Sequence, residues 1–464
     1  MASAANQLAA GLNWSSFSKA SDLKKRLWFT LGALIIYRLC TFVPLPGIDP
    51  VQLEALFNQT RGGVLDYINM FSGGGLERMS IVALNIMPYI TASIIVQLMT
   101  SLSPSLAQLK KEGEQGRKKI NQYTRMGTVA LTLFQGYGIA VGLEGWSGSS
   151  GSAVIDPGWF FRITTMVTLL GGTMFLMWLG EQITARGVGN GISLIIMAGI
   201  IATLPGAFVG IFEQNRTGAI GDFTVVLVVV GLLATIAFIC FMERAQRRVL
   251  IQYPKRQVAR NRPAQSETSH LPLKLNTAGV IPPIFASSIL LMPLTVAQFS
   301  GQGAAGPAGA DVPVDGGGGI GDTLLQVTAA LQHGTPLYMA LYGLGIAFFC
   351  FFYTAIVFNP DDTADNLKKQ GGFIPGIRPG QRTADYLSFV LDRITAVGAA
   401  YLVLICLIPE MVMANLGIAL LFGGTSLLII VNVTMDTVAQ IQSHLLAHQY
   451  EGLIKKAKLR GKRR

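Results

Sequence analysis

The sequence predicts an all-α membrane protein with ten transmembrane helices, and three observations carry that prediction. Only 13% of the 464 residues are charged while 51% are hydrophobic, for a mean hydropathy of +0.48; an ordinary soluble chain carries about 25% charge. The uncharged residues are gathered into long blocks, of which 223–242 and 336–358 contain no Asp, Glu, Lys or Arg. A helix needs about 20 such residues to cross a hydrocarbon core roughly 30 Å thick. Finally, Lys and Arg crowd into alternate connections between the blocks.

The expected spans are 27–43, 81–102, 126–143, 163–180, 192–212, 223–242, 276–299, 336–358, 394–412 and 414–435. Only helices and closed barrels satisfy their backbone groups in lipid, and these runs are too long and continuous for barrel strands. The first span follows Lys24, Lys25 and Arg26, as a signal peptide would, but ends in Pro44-Leu45-Pro46-Gly47 rather than at a small-residue cleavage site. A retained span is expected, preceded by a cytoplasmic segment 1–26.

Loop charge orients the spans. Lys110, Lys111, Arg117, Lys118, Lys119 and Arg125 lie in the connection 103–125, the connection 243–275 is strongly basic, and so is the tail 449–464. Connections 144–159, 300–335 and 410–413 contain no Lys or Arg. Basic loops stay on the cytoplasmic side, so both termini are expected there. The connection 359–393 is balanced in sign and contributes little. Five spans in each half, 27–212 and 213–448, require the second half to run inverted if the halves share a fold. Inverted repeats place the functional path at the interface between halves.

Two segments depart from this pattern. Residues 64–80 are partly apolar, too short to span, and broken by Gly73, Gly74 and Gly75. They read either as an interfacial helix or as a re-entrant half-helix, which lipid tolerates only beside a cavity. The span 276–299 carries Pro282, Pro283 and Pro293, and adjacent prolines kink a helix.

Several function classes find no support. A net charge of +11 and a pI of 9.5 would suit nucleic acid, but the charges sit in loops and form no basic arm interleaved with aromatics. Cys40, Cys240, Cys350 and Cys406 lie singly in apolar blocks, and His270, His333, His444 and His448 have no ligand spacing; no metal, disulfide or cofactor is expected. Gly187-Val188-Gly189-Asn190-Gly191 lies between two spans rather than after a strand, so a tight turn is expected, not a phosphate site. Arg38, Glu181 and Asp436 flank spans, close enough to an end to pair or snorkel. A small-solute secondary transporter is the main alternative function, and it would usually bury more acids near the midplane. An intramembrane enzyme would need a nucleophile–base pair or a metal cluster within the spans.

Longer runs identify a family. Ile86-Met87-Pro88-Tyr89-Ile90, Lys110-Lys111-Glu112-Gly113-Glu114, Leu179-Gly180-Glu181-Gln182-Ile183-Thr184, Gly189-Asn190-Gly191-Ile192-Ser193, Ala278-Gly279-Val280-Ile281-Pro282, Ala364-Asp365-Asn366-Leu367-Lys368-Lys369, Pro375-Gly376-Ile377-Arg378-Pro379-Gly380 and Phe422-Gly423-Gly424-Thr425-Ser426 stand in this order. Across residues 20 to 460 the chain resembles the SecY family, the channel subunits of the bacterial Sec protein-export translocon.

The resemblance implies ten spans in two pseudo-symmetric halves around an hourglass pore in the bacterial inner membrane. It also implies a lateral gate through which hydrophobic segments leave for lipid. The family's pore ring maps onto Ile86, Ile90, Ile192, Ile196, Ile284 and Ile429, its gate polar cluster onto Gln97 and Asn276. Its plug maps onto 64–80, with Tyr67, Asn69, Phe71, Gly73, Gly74 and Gly75. Read alone, the six isoleucines are ordinary apolar packing, with Ile86/Ile90 and Ile192/Ile196 each on one helix face. Connections 243–275 and 359–393 resemble the protrusions that dock the SecA motor or the ribosome, with Arg256, Arg260, Arg262 and Arg378 as contacts; positive-inside orientation accounts for some of that charge. The implied partners are SecE, SecG, SecA, the ribosome, signal-sequence-bearing polypeptides and membrane lipids. The glycine-rich connection 300–335 and Ala245 in Glu243-Arg244-Ala245-Gln246-Arg247-Arg248, where glycine is common, depart from the family pattern.

Overall fold

In the computed structural model, the described residues are 21–53, 69–70, 72–145, 147–148, 151–218, 221–253, 268–299, 335–416 and 423–461. Their order is α1 (Ser21–Cys40), α2 (Met87–Leu102), α3 (Pro104–Lys111), α4 (Glu114–Gly145), β1 (Ser147–Gly148), β2 (Gly151–Ser152), α5 (Trp159–Arg186), α6 (Gly191–Arg216), α7 (Asp222–Arg244), β3 (Gln246–Gln252), β4 (Thr268–Lys274), α8 (Ile281–Phe299), α9 (Pro336–Val357), α10 (Pro360–Lys369), α11 (Gln381–Leu416) and α12 (Gly424–Gly461). Nine of the ten expected spans overlap one helix each; the tenth, 414–435, is divided between the end of α11 and the start of α12, with 417–422 outside the described residues. Seven described helices are long and apolar enough to cross a membrane, and α2 with α3 makes an eighth as a pair bent by 105°. The bend falls at Ser103, whose extended backbone (φ −100°, ψ 120°) is what the following Pro104 demands.

Several boundaries move for identifiable reasons. Residues 81–86 form turns, so the second span's helix begins at Met87 with Pro88 in its first turn, where a missing N–H costs nothing. The same rule applies to α8. Its helix starts at Ile281, so Pro282 and Pro283 begin it instead of kinking it. Residues 410–413, expected as a connection, continue α11 to Leu416, and Glu410 there is only 5% exposed. The connection 359–393 is largely helical: Asn359 caps α10 by accepting from the Asp361 N–H (3.1 Å), with acids in the first turn and Lys368 and Lys369 in the last. The connection 243–275 holds an antiparallel hairpin, with Gln246 opposite Lys274 and Gln252 opposite Thr268.

The described residues divide into two compact units. One lies within Met1–Val209, Leu294–Thr328 and Ile429–Arg464, the other within Gly210–Pro293 and Ala329–Leu428. In the first, α4 packs against α2 and α5, and the core at one end joins Leu45, Leu53, Leu76, Met79, Ala83, Leu143 and Phe161. The hairpin α5–α6 closes on glycine: a Cβ on Gly191 would collide with the Gly180 carbonyl oxygen. The glycine-rich corner is a tight turn with its amides engaged. Val188 donates to Thr30 Oγ1 (3.1 Å), Gly189 to Gln440 Oε1 (2.9 Å) and Gly191 to Thr184 Oγ1 (2.9 Å). No donors point outward for a phosphate at those three positions. In the second unit α9 packs on α11, and Val249, Leu273, Ile374, Leu387, Leu391 and Ile394 bury the hairpin against the start of α11.

Candidate functional site

The six expected ring isoleucines share one feature of placement: each stands in the opening turns of its helix. Ile86 is the residue that caps α2, and its carbonyl accepts from the Ile90 N–H (3.0 Å). Ile192 and Ile196 lie in the first two turns of α6, Ile284 in the first turn of α8 and Ile429 in the second turn of α12. Ile86, Ile196 and Ile429 are buried; Ile90, Ile192 and Ile284 are half-buried. Ile86, Ile90, Ile192, Ile196 and Ile429 belong to the first compact unit, and Ile284 to the second. Within the first unit α12 runs beside α6: Thr434 Oγ1 reaches Met197 Sδ (3.6 Å), and Gln440 takes the Gly189 amide.

The glycine-broken segment is a compact coil. Asn69 organises it: its carbonyl accepts from the Gly74 N–H (3.0 Å) and from Ser72 Oγ (2.9 Å), and its Oδ1 accepts from the Glu77 N–H (2.9 Å). Gly73 adopts φ +68°, and a Cβ there would stand 3.0 Å from Gly199 Cα on α6, so the segment approaches that helix as closely as only glycine permits. From the α1 side, Arg38 Nη1 donates to the Gly73 carbonyl at 2.6 Å and Tyr37 Oη to the Ser72 carbonyl at 3.5 Å. Arg38 and Arg78 both stack on the Phe42 ring (5.0 and 4.5 Å). Gly75 closes a further turn with Ser80 (2.8 Å). Tyr67 and Phe71 lie outside the described residues.

The two expected gate residues have unlike surroundings. Half-buried Gln97 donates to Ser93 Oγ, one turn back on α2 (3.3 Å). Asn276, 4% exposed, donates to Glu243 Oε1 at 2.6 Å and exchanges bonds with Gly279 at 3.0 and 3.1 Å. In the sequence Glu243 stands out only as an acid at the end of a 20-residue apolar run, opening the Glu243–Arg248 motif. Of the other flanking charges, Glu181 pairs at a span end: both its oxygens accept from Arg125 Nη2 at 2.7 Å, with both side chains exposed.

Arg378 is exposed, in a turn where the Ile377 N–H reaches the Ile374 carbonyl (3.1 Å) and Thr383 Oγ1 donates to the Arg378 carbonyl (3.0 Å). That turn is joined to the hairpin: Gln252 and Phe373 exchange backbone bonds at 2.9 and 3.0 Å. The two expected docking connections therefore form one body. Arg256, Arg260 and Arg262 lie outside the described residues. The alternation in Arg248-Val249-Leu250-Ile251, with Val249 and Ile251 buried, was the overlooked signal for this hairpin.

The SecY family model matches residues 80–438. Protein translocase subunit SecY of Vibrio cholerae serotype O1 is 54% identical over 447 residues, covering 96% of this chain and 97% of that one. The chain belongs to the SecY family. The subunit of the same name from Escherichia coli K12 is 53% identical, covering 95% and 96% of the two chains. The fold agrees with a solved structure described as "The structure of a protein conducting channel", with a TM-score of 0.61 at 17% identity over 91% of this chain and 92% of that one. It agrees equally with Sec61 in a canine ribosome–channel complex, with a TM-score of 0.59 at 16% identity.

Proposed function

We propose that Ile86, Ile90, Ile192, Ile196, Ile284 and Ile429 form the constriction of a protein-conducting channel, that the coil around Asn69 and Gly73–Gly75 plugs it, and that Gln97 and Asn276 belong to a lateral gate. As a member of its family the chain is a channel subunit of a protein translocase rather than a catalyst. The observation that carries the finer reading is the repeated placement of one branched apolar residue type in the opening turns of four helices. Such side chains offer an ion nothing in place of its water, so a narrow collar of them opposes leakage by dewetting. They also make no specific hydrogen bonds, so polypeptides of any sequence can slide past.

The gate energetics are balanced in the same way. Polar contacts between helices in lipid contribute about 0.6–2 kcal/mol each, enough to bias a gate closed. A signal core of about ten leucine-like residues gains roughly 3–6 kcal/mol on reaching lipid, enough to open it. In this reading the chain sits in the bacterial inner membrane with both termini in the cytoplasm. It works with SecE and SecG alongside, and with SecA or the ribosome at the body that carries Arg378. The small-solute transporter is disfavoured because Arg38 and Glu181 are engaged near span ends rather than gathered at a midplane site.

The test is to replace Ile86, Ile192 and Ile429 together by Gly and to measure ion conductance in reconstituted bilayers alongside precursor export. Conductance should rise while export continues. Unchanged conductance would sink the constriction.

A further inference from the structure

The start of α8 is held from ahead of the helix. Asn276 closes a turn with Gly279 and donates to the Glu243 carboxylate, in the last turn of α7. Beside it the Leu275 N–H donates to the Ala245 carbonyl at 2.9 Å, the base of the β3–β4 hairpin. From α11, Gly398 leaves room for the Leu275 carbonyl, which would lie 2.8 Å from a Cβ there. Within α8 itself, Pro282 and Pro283 have no N–H to offer a cap. The side-chain bond from Asn276 to Glu243 is short and charge-assisted, which makes it about twice as strong as a neutral one. Glu243 also stands three residues ahead of the first hairpin strand, so this one bond ties α8 to the hairpin.

We propose that Glu243 is a positioning residue for the gate: through Asn276 its carboxylate holds the start of α8 in its resting place and sets how hydrophobic a segment must be to pass sideways. The proposal rests on the reading of α8 as a gate helix. The bond is lost whichever partner is replaced, so for that bond the two side chains act as one unit, while replacing Asn276 also opens its turn with Gly279.

The experiment uses the full chain reconstituted with its small membrane subunits and a series of precursors graded in signal hydrophobicity. Glu243→Leu and Asn276→Leu should each raise export of weak-signal precursors about two- to tenfold and leave strong-signal precursors unchanged. The double variant should do no more than Asn276→Leu, which also loses the turn with Gly279. Glu243→Gln, which keeps the shape and an acceptor, should fall between wild type and Glu243→Leu, and it decides the matter if Glu243→Leu fails to accumulate in the membrane. An unchanged series for the Glu243 variants while Asn276→Leu moves it overturns the proposal, as does simple addition of the two effects. If neither Asn276→Leu nor Gln97→Leu moves the series, the gate reading falls and the proposal with it; Gln97, bonded within its own helix, separates that result from failure of the Glu243 bond alone.

Discussion

Arg38 donates from Nη1 to the carbonyl oxygen of Gly73 at 2.6 Å, joining α1 to the glycine-broken coil. The bond is charge-assisted and half-buried, and such bonds contribute about 1.5–3 kcal/mol when well shielded. Discounted for partial exposure, about 1–2 kcal/mol is at stake. If the coil is the plug, Arg38→Leu should enlarge its displaced population about five- to thirtyfold, and Arg38→Lys should do so less. Resting conductance of the reconstituted channel reads this directly. A variant as tight as wild type would assign Arg38 to bracing alone.

The corner between α5 and α6 should tolerate nothing larger than glycine. A methyl group at Gly191 meets the Gly180 carbonyl oxygen, which is helix backbone and cannot swing aside. Overpacking of this kind costs about 1–3 kcal/mol. Gly191→Ala should lower the thermal midpoint of the purified protein in detergent. Gly206→Ala on the same helix, with open space around it, should not.

Arg125 Nη2 alone donates to both carboxylate oxygens of Glu181, and both side chains are well exposed. Exposed pairs contribute about 0–1 kcal/mol. Glu181→Gln should therefore leave both the detergent midpoint and precursor export within error of wild type. Loss of export without loss of protein would make Glu181 a functional group and would revive the transporter reading.

Arg378 is exposed on a turn braced by Thr383 and linked to the hairpin through Gln252 and Phe373. An arginine on a rigid tip suits docking. Arg378→Glu should block motor-driven export while the protein remains folded, inserted and bound to its small partner. Arg378→Lys should fall between, since it keeps the charge but loses the planar fork. Normal membrane levels together with normal export for Arg378→Glu would remove the docking role; reduced levels would point to a bracing role instead.

Apolar run length was enough to locate the long apolar helices, seven of them among the described residues plus one bent pair, because the hydrocarbon core imposes a length whatever the packing. Ordered motifs such as Gly189-Asn190-Gly191-Ile192-Ser193 were enough for the family. Helix starts were not legible to that precision: hydropathy treats 81–86 and 276–280 as span, whereas the turns there depend on backbone bonds such as Ile81 N–H to the Val43 carbonyl (3.0 Å). The hairpin was overlooked because its short alternation stands among many charges. Asn276 was legible as a polar residue at a span end, but its partner was not. Glu243 and Asn276 are 33 residues apart, and only the pairing of β3 with β4 brings the end of α7 to the start of α8. The same holds for Arg38 and Gly73, 35 residues apart. Solvent selects apolar runs one segment at a time, so the sequence by itself determined the spans; a hydrogen bond needs two groups within about 3 Å, and only the tertiary structure decided which ones meet.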